Sequence, residues 1–315
     1  MTAPEGQLFD LGYQSYDGPR EGRMRSRKAL FTNGIRTAFG MGRGTGSKVL
    51  AIAFFIIVMT PAVILALVAA TIDQLGVGSP EIPGHADYYQ IVSLILLLFS
   101  AVIAPDLLCT DRRNGVISLY LVRPLSSTDY VVGRWLAFFV VSLLFIYAGQ
   151  VVLGVGLILG APEPWEYLKD NWLDIPRFLG AGVIIAILTT TIPLAVASFT
   201  TRRAYATAFV IGFFVLSLAV GNILVECPEE REVEGPPVNI ENCEPLLGDY
   251  AKWAGLISVS EVPIHLSDMI FDKENNEQLA QQVALLNPTF PILWYILLIV
   301  APGLLMWQKY KRLSA

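Results

Sequence analysis

Charge is what this sequence has least of. Asp, Glu, Lys and Arg make up only 16% of its 315 residues, where soluble domains carry about 25%. The shortage is sharpest inside the apolar stretches, where Asp106 is the one carboxylate apart from Glu226 at the outer rim of the fifth. Proton-driven carriers need buried titratable relays, so the energy for any transport must come from elsewhere. Histidine occurs only at His85 and His265, with no Cys-His-carboxylate cluster around either. That argues against a metal site and reads both as exposed loop residues. No Ser/His/Asp, His/Glu or paired-Asp set converges, so no catalytic residue is assigned. The run Gly40–Lys48 closes as Gly-Ser-Lys-Val rather than Gly-Lys followed by Ser or Thr, and no apolar strand precedes it. It reads as a hinge, with no nucleotide or other cofactor held by the chain itself. The N-terminal region has no short apolar core with a small-residue cleavage site, so no cleavable signal peptide is expected.

What is present is apolar sequence, 54% of the chain, gathered into blocks of about 20 residues. Each is long enough to cross ~30 Å of hydrocarbon as a helix. Six spans are drawn at 49–72, 91–109, 135–160, 178–200, 204–226 and 289–307. The expected fold class is an all-α polytopic membrane protein with six transmembrane helices. To these are added an N-terminal interfacial helix, a cytoplasmic surface helix between spans two and three, and an outer helical segment before span six. The chain divides into a cytoplasmic tail with the interfacial helix (1–48), spans one to five (49–226), an extracytoplasmic segment (227–288) and span six with a basic tail (289–315). With spans so placed, 17 of the 22 Lys and Arg fall on the side of the two termini. The positive-inside rule puts that side in the cytoplasm.

Between spans two and three lies the longest polar interruption on the basic side. Asp111-Arg112-Arg113-Asn114-Gly115 is followed by Val116, Ile117, Leu119, Tyr120 and Leu121, then Arg123-Pro124. This pattern reads as a short amphipathic helix at the membrane surface. Upstream, Phe31, Ile35 and Phe39 recur at helical spacing while Arg25, Arg27, Lys28 and Arg36 take other faces. A helix in the headgroup plane fits, apolar side down and cations toward anionic lipid, although Gly34 costs about 1 kcal/mol there. Tyr13 and Tyr16 read equally as anchors on a partner or as part of an unstructured tail. Asp106 has two readings: an intramembrane functional carboxylate, or a shallow one reaching the interface or pairing with Arg112 or Arg113. The other intramembrane polar residues are mainly Gln150, Asn222 and Thr hydroxyls. Gly212 and Gly221 permit kinks or close helix contact. On the outer side, Cys227 and Cys243 flank an acidic, Pro-rich run. There a disulfide is expected, worth about 3 kcal/mol by the loop-entropy model. Cys109 reads as a free thiol or plain packing.

Asp111-Arg112, Gly115, Leu119 and Leu121, Arg123-Pro124 and Gly133-Arg134 together resemble the coupling region of ABC-2 type permeases, the membrane subunits of one class of ABC transporters. Asp111 stands where Glu is commoner, and Val116 where a Thr usually follows the Gly. Six spans, an interfacial N-terminal helix and a large outer segment before the last span extend the resemblance over nearly the whole chain. It implies a half-transporter: two permease chains, as a homo- or heterodimer, with a dimer of separate ATP-binding ABC ATPase subunits. ATP and Mg would sit on those subunits, and membrane lipids would be the other contact. No nucleic acid is expected. The surface helix, about 110–125, becomes a coupling helix, with Asp111, Arg112, Arg113, Gly115, Leu119, Tyr120, Arg123 and Pro124 as its ATPase-coupling residues. Asp111, Arg112 and Arg113 would make charge-assisted contacts, and Leu119 and Tyr120 buried anchors.

The expected function is thus the permease subunit of an ATP-driven exporter of an amphipathic, lipid-like or drug-like substrate. The alternative is a non-transporting scaffold that works through its outer segment.

Overall fold

The computed structural model describes residues 18, 22–42, 44–75, 84–117, 120, 125–226, 245, 247–273 and 277–313. Regular structure among them is helical throughout. Helix α1 covers Gly22–Ala38, α2 Thr45–Leu75, α3 His85–Arg113 and α4 Ser127–Gly160. They are followed by α5 (Pro164–Asp170), α6 (Asp174–Phe199) and α7 (Arg203–Val225). Three short helices, α8 (Ala251–Ala254), α9 (Val262–Phe271) and α10 (Gln278–Ala284), come before the last one, α11 (Thr289–Leu313). Six of these, α2, α3, α4, α6, α7 and α11, are long and apolar enough to cross a membrane. The six expected spans are all there, in a multi-pass bundle without a sheet among the described residues. Cys227 and Cys243 lie outside those residues.

Helix ends differ from the hydropathy boundaries because capping sets them. Span three was expected to start at 135, yet α4 begins eight residues earlier. Ser126 Oγ accepts from Asp129 N (3.2 Å) while Asp129 Oδ2 accepts from Ser126 N (3.0 Å), a reciprocal capping box that satisfies two otherwise orphaned donors. Span two was expected to end at 109, and α3 continues to Arg113. It stops where Gly115 takes a left-handed backbone (φ 66°) and its N–H returns to the Arg112 carbonyl at 3.3 Å. A side chain at that position would be strained.

Helices α3, α4 and α6 form the centre. In the most apolar window of α3, and of α6, 67% of residues are buried, against 17% for α2 and for α11. Phe145 of α4 is an aromatic hub, with ring centroids 4.6 Å from Phe99 of α3, 5.3 Å from Phe55 of α2 and 6.0 Å from Phe39. Such tilted pairs add to area burial. In lipid, apolar surface gives helices little reason to associate, so close approach through small residues matters. Gly156 and Gly160 of α4 lie directly against Ala66 and Ala70 of α2, a GxxxG stripe on an AxxxA stripe.

Pro105 interrupts α3 and leaves the carbonyl four residues back, that of Ala101, without its helical donor. Thr207 Oγ1 of α7 donates to that carbonyl at 2.9 Å. The neighbouring helix repairs the break, as the bilayer requires.

Helix α1 is present despite Gly34, and its packed face differs from the expected one. Leu30, Gly34 and Ala38 are buried, one position ahead of the Phe31, Ile35 and Phe39 stripe. The reason is backbone proximity: a Cβ on Gly34 would lie 2.5 Å from Ala137 Cβ, and one on Gly133 2.9 Å from Leu30 Cδ2. Leu30 sits in the notch at Gly133 and Ala137 in the notch at Gly34, so α1 docks across the start of α4. Of the two glycines expected to allow close contact in α7, Gly221 does so against Ser258, whereas Gly212 faces open space.

Replacing Gly156 with Ile should therefore cost about 1–3 kcal/mol or prevent the α2–α4 contact altogether. Gly212→Ala should be neutral or slightly stabilising, by up to about 1 kcal/mol. Thermal unfolding of the two purified variants in the same detergent checks the contrast, and equal effects would contradict this packing.

Candidate functional site

The last turns of α3 collect ion pairs and caps from three other spanning helices at one end of the bundle. Asp111 accepts from Arg134 Nη2 at 2.6 Å and from Tyr130 Oη at 2.8 Å, both on α4. Arg134 is only 2% exposed, and its Nη1 also donates to Asn33 Oδ1 of α1 at 3.0 Å. On the next face of α3, Arg112 donates to the Ser198 carbonyl and, at 3.4 Å, to that of Thr200. Cys109 Sγ donates to the Ala197 carbonyl at 3.4 Å. These are carbonyls of the last turn of α6, which a helix leaves without partners and which favour a cation. On a third face, Arg203 of α7 pairs with Asp106 and donates to Thr110 Oγ1 at 2.9 Å. Asp106 therefore takes the pairing role, but with Arg203 rather than Arg112 or Arg113.

Two further helices join this end. Asp129 accepts from Arg23 (2.6 Å) and Arg27 (2.8 Å) of α1. From α11, Tyr310 packs on Tyr130 at 5.2 Å, Trp307 Nε1 donates to Thr128 Oγ1 at 3.0 Å, and Lys309 Nζ lies 4.2 Å from the Phe199 ring centroid. Tyr120 is half-buried with its ring 5.8 Å from that of Tyr130. Val116, Ile117 and Tyr120 have helical backbone, and Arg113, Asn114 and Gly115 are exposed. Leu119, Arg123 and Pro124 lie outside the described residues.

The remaining intramembrane polar residues stand elsewhere. Gln150 is fully buried, its Oε1 2.5 Å from His85 Nδ1 and its Nε2 donating to the His85 carbonyl at 3.2 Å. His85 is half-buried, opening α3 and stacked on Phe178 at 5.3 Å, so the expectation of two exposed loop histidines does not hold. His265 is half-buried on α9. Asn222 is exposed on α7, with its carbonyl accepting from Glu226 N at 2.7 Å. Around α9, burial pushes the Glu261 carboxyl up to about 7, and the carboxylates of Glu277 and Asp268 add to the shift. Burial holds His265 below its ordinary value. Lys273 pairs with Asp87 and Gln90 donates to Glu277 at 2.9 Å, which ties this cap to the start of α3. No group of three or more His, Cys, Asp or Glu among the described residues has the arrangement of a metal site.

The profile of the ABC-2 family transporter protein matches residues 49–303. The chain belongs to the ABC-2 family of membrane permeases. No individual curated protein matches it. ABC-2 permeases are transport subunits without catalysis of their own, and they pair with ATPase subunits and with other permease chains. The resemblance drawn from Asp111-Arg112, Gly115 and Gly133-Arg134 is thereby upheld at the level of the family.

Within this permease, Asp111 and Arg112 meet partners inside the chain, and Arg113 points outward. Sequence reasoning missed Arg134 as the partner of Asp111. The missed signal was the S-x-x-D box at Ser126–Asp129, which moves the helix start upstream and places Arg134 two turns inside a span.

Removing one partner of a buried pair costs about 3–5 kcal/mol, whereas replacing both with apolar residues is often neutral. Arg134→Met and Asp111→Leu should each lower thermal stability strongly, and the double variant should recover most of the loss. Arg27→Ala, at a half-exposed pair, should cost less than about 1 kcal/mol. The cap carries a pH prediction as well. Between about pH 4.5 and 7 the folded cap keeps the Glu261 proton that the unfolded chain has released, so its stability falls as pH rises through that window. Amide exchange in α9, corrected for its chemical rate, should be faster at pH 8 than at pH 6. Glu261→Gln should remove that response and leave only the opposite dependence of His265.

Proposed function

We propose that this permease is the membrane half of an ATP-driven exporter whose cargo is amphipathic, lipid-like or drug-like. Its termini and charged end face the cytoplasm, where the 114–126 connection docks on a separate dimer of ATPase subunits. A second permease chain completes the pathway. The observation that carries this reading is the fan of interactions from the last two turns of α3. Through Asp111, Arg112 and Asp106, the end of α3 is tied to α4, to the α6 terminus and to α7. A displacement of the connection is thereby transmitted to several spans at once, because packed elements shift as units and do not deform smoothly. The roles divide accordingly. Asp111 and Arg112 hold the spans to the connection, while Arg113, Asn114 and Gly115 present the surface that a partner touches.

The charge distribution supports the orientation, since the Lys and Arg of α1, of the α3 end, of Arg202-Arg203 and of the α11 tail gather at this end. The cargo class is supported by α7. From Ala208 to Ile223 its exposed residues are apolar except Asn222, and Phe209, Phe213, Leu216, Val220 and Ile257 line a groove of about 420 Å³.

The test uses the chain purified together with a partner ATPase subunit. A Cys placed at Asn114 in a Cys109→Ser background should change its labelling rate between ATP-bound and nucleotide-free complexes. Arg113→Glu should weaken ATPase association about tenfold, with unfolding temperature unchanged. A labelling rate indifferent to nucleotide, with the ATPase bound, would contradict the coupling assignment.

A further inference from the structure

At the end of the bundle away from Asp111, a pocket of about 170 Å³ lies between α4, α5 and the start of α6, with His85 of α3 on its wall. Its hydrogen-bonding groups can be assigned atom by atom. Gln150, fully buried, donates from Nε2 to the His85 carbonyl at 3.2 Å. A carbonyl only accepts, so the amide is fixed with Oε1 toward His85 Nδ1, 2.5 Å away, and Nδ1 must carry the hydrogen. In the neutral ring Nε2 is then an acceptor, and it has no partner among the described residues. Asn171 donates from Nδ2 to the Tyr167 carbonyl at 3.0 Å, which leaves its Oδ1 open. Asp174 accepts from Arg177 on Oδ1 at 3.3 Å and keeps Oδ2 without a partner among the described residues. The start of α6 adds no donor: the amides of Asp174, Ile175 and Arg177 return to the carbonyls of Asn171, Trp172 and Leu173, and residue 176 is proline. Burial, and after it the Asp174 carboxylate, hold the Tyr167 hydroxyl above its ordinary value, so that ring is uncharged. The wall from α4 is apolar, made by Val151, Val155 and Ile158.

We propose that this pocket binds a small hydrophobic ammonium ion, an aryl- or alkyl-substituted primary amine. The ammonium brings three donors to a wall whose open groups accept: His85 Nε2, Asn171 Oδ1 and Asp174 Oδ2. Asp174 stands one turn before Phe178 on α6, and His85 stacks on the Phe178 ring at 5.3 Å. The carboxylate and Nε2 are therefore gathered on the α6 side, where the faces of Tyr167 and Phe178 also favour a cation. The hydrocarbon part lies against Val151, Val155 and Ile158. The volume is close to that of a cavity of about 150 Å³ that holds benzene, which limits the apolar part to one phenyl-sized group. An anion would meet Asp174 and find no free amide at the start of α6. The site goes beyond the transport reading and needs no ATPase.

Titration of the full chain in a nonionic detergent with benzylammonium, followed by nitrogen NMR of the histidine side chains, tests it. His85 is one of only two histidines, and its Nε2 signal should move saturably while Nδ1 stays protonated. Benzyl alcohol, the neutral isostere, should bind at least about fivefold more weakly, the scale of one half-exposed ion pair. Asp174→Asn should weaken benzylammonium binding by a similar factor. Gly154→Leu should abolish the response. A Cβ there meets only His85 Cε1, at 3.5 Å, so the larger side chain enters the pocket without displacing backbone. Unfolding temperatures measured without ligand serve as the folding control for both variants. Equal affinity for benzyl alcohol would overturn the site, because a plain apolar cavity or a seat for a lipid chain would show it. So would benzoate binding as tightly as benzylammonium, an unchanged response in Gly154→Leu, or a His85 signal that does not move.

Discussion

A guanidinium enclosed within a membrane helix must be paired, and Arg134 meets that condition through a single carboxylate. Asp111 sits at the end of one spanning helix and Arg134 two turns into the next, so their contact sets how the two helices meet. Most other polar contacts at this end of the bundle follow from it. With the end of α3 held in one rotation about its axis, Arg112 and Cys109 face the open carbonyls of α6, and Asp106 and Thr110 face Arg203 of α7. Tyr130 adds a hydroxyl to the same carboxylate. A buried pair of this kind adds little net stability compared with a well-packed apolar substitute, but a mismatched partner is severely penalised. Here it selects one arrangement of four helices.

The rest of the bundle is assembled by steric fit and by repair of the backbone. Lipid removes the hydrophobic drive between spans, and small residues take its place where α4 meets α2 and where α1 meets α4. At Pro105 the helix loses a hydrogen bond that lipid cannot replace, and a hydroxyl from α7 takes it up. That bond fixes α7 against α3 one turn in from the Arg203 pair, which fixes it at the end. Helices α2 and α11 bury few of their apolar residues within this chain, which leaves broad apolar faces for lipid or for a second permease chain.

Helix α1 joins these two systems. Its small-residue face fits α4 by shape, its Arg23 and Arg27 hold the capping carboxylate of α4, and its Asn33 reaches the buried guanidinium. Movement of α1 relative to α4 would strain all three contacts together, so the two behave as one element.

By itself the sequence determined the class, the number of spans and the family. Apolar runs of spanning length need only counting, since the bilayer leaves the helix as the sole way to satisfy their backbones. The α3–α4 junction was visible too, because Asp111, Gly115 and Arg134 sit at positions with local chemical meaning. What those residues do was decided by tertiary structure. Asp106 lies close in sequence to Arg112 yet pairs with Arg203, 97 positions away, because an α-helix points residues six apart to different sides and brings distant helices into reach. The packed face of α1 likewise went to Leu30, Gly34 and Ala38. Hydropathy favours the larger aromatics, but the closest contact between two helices goes to the residues with the least side chain, and which residues those are depends on the helix opposite.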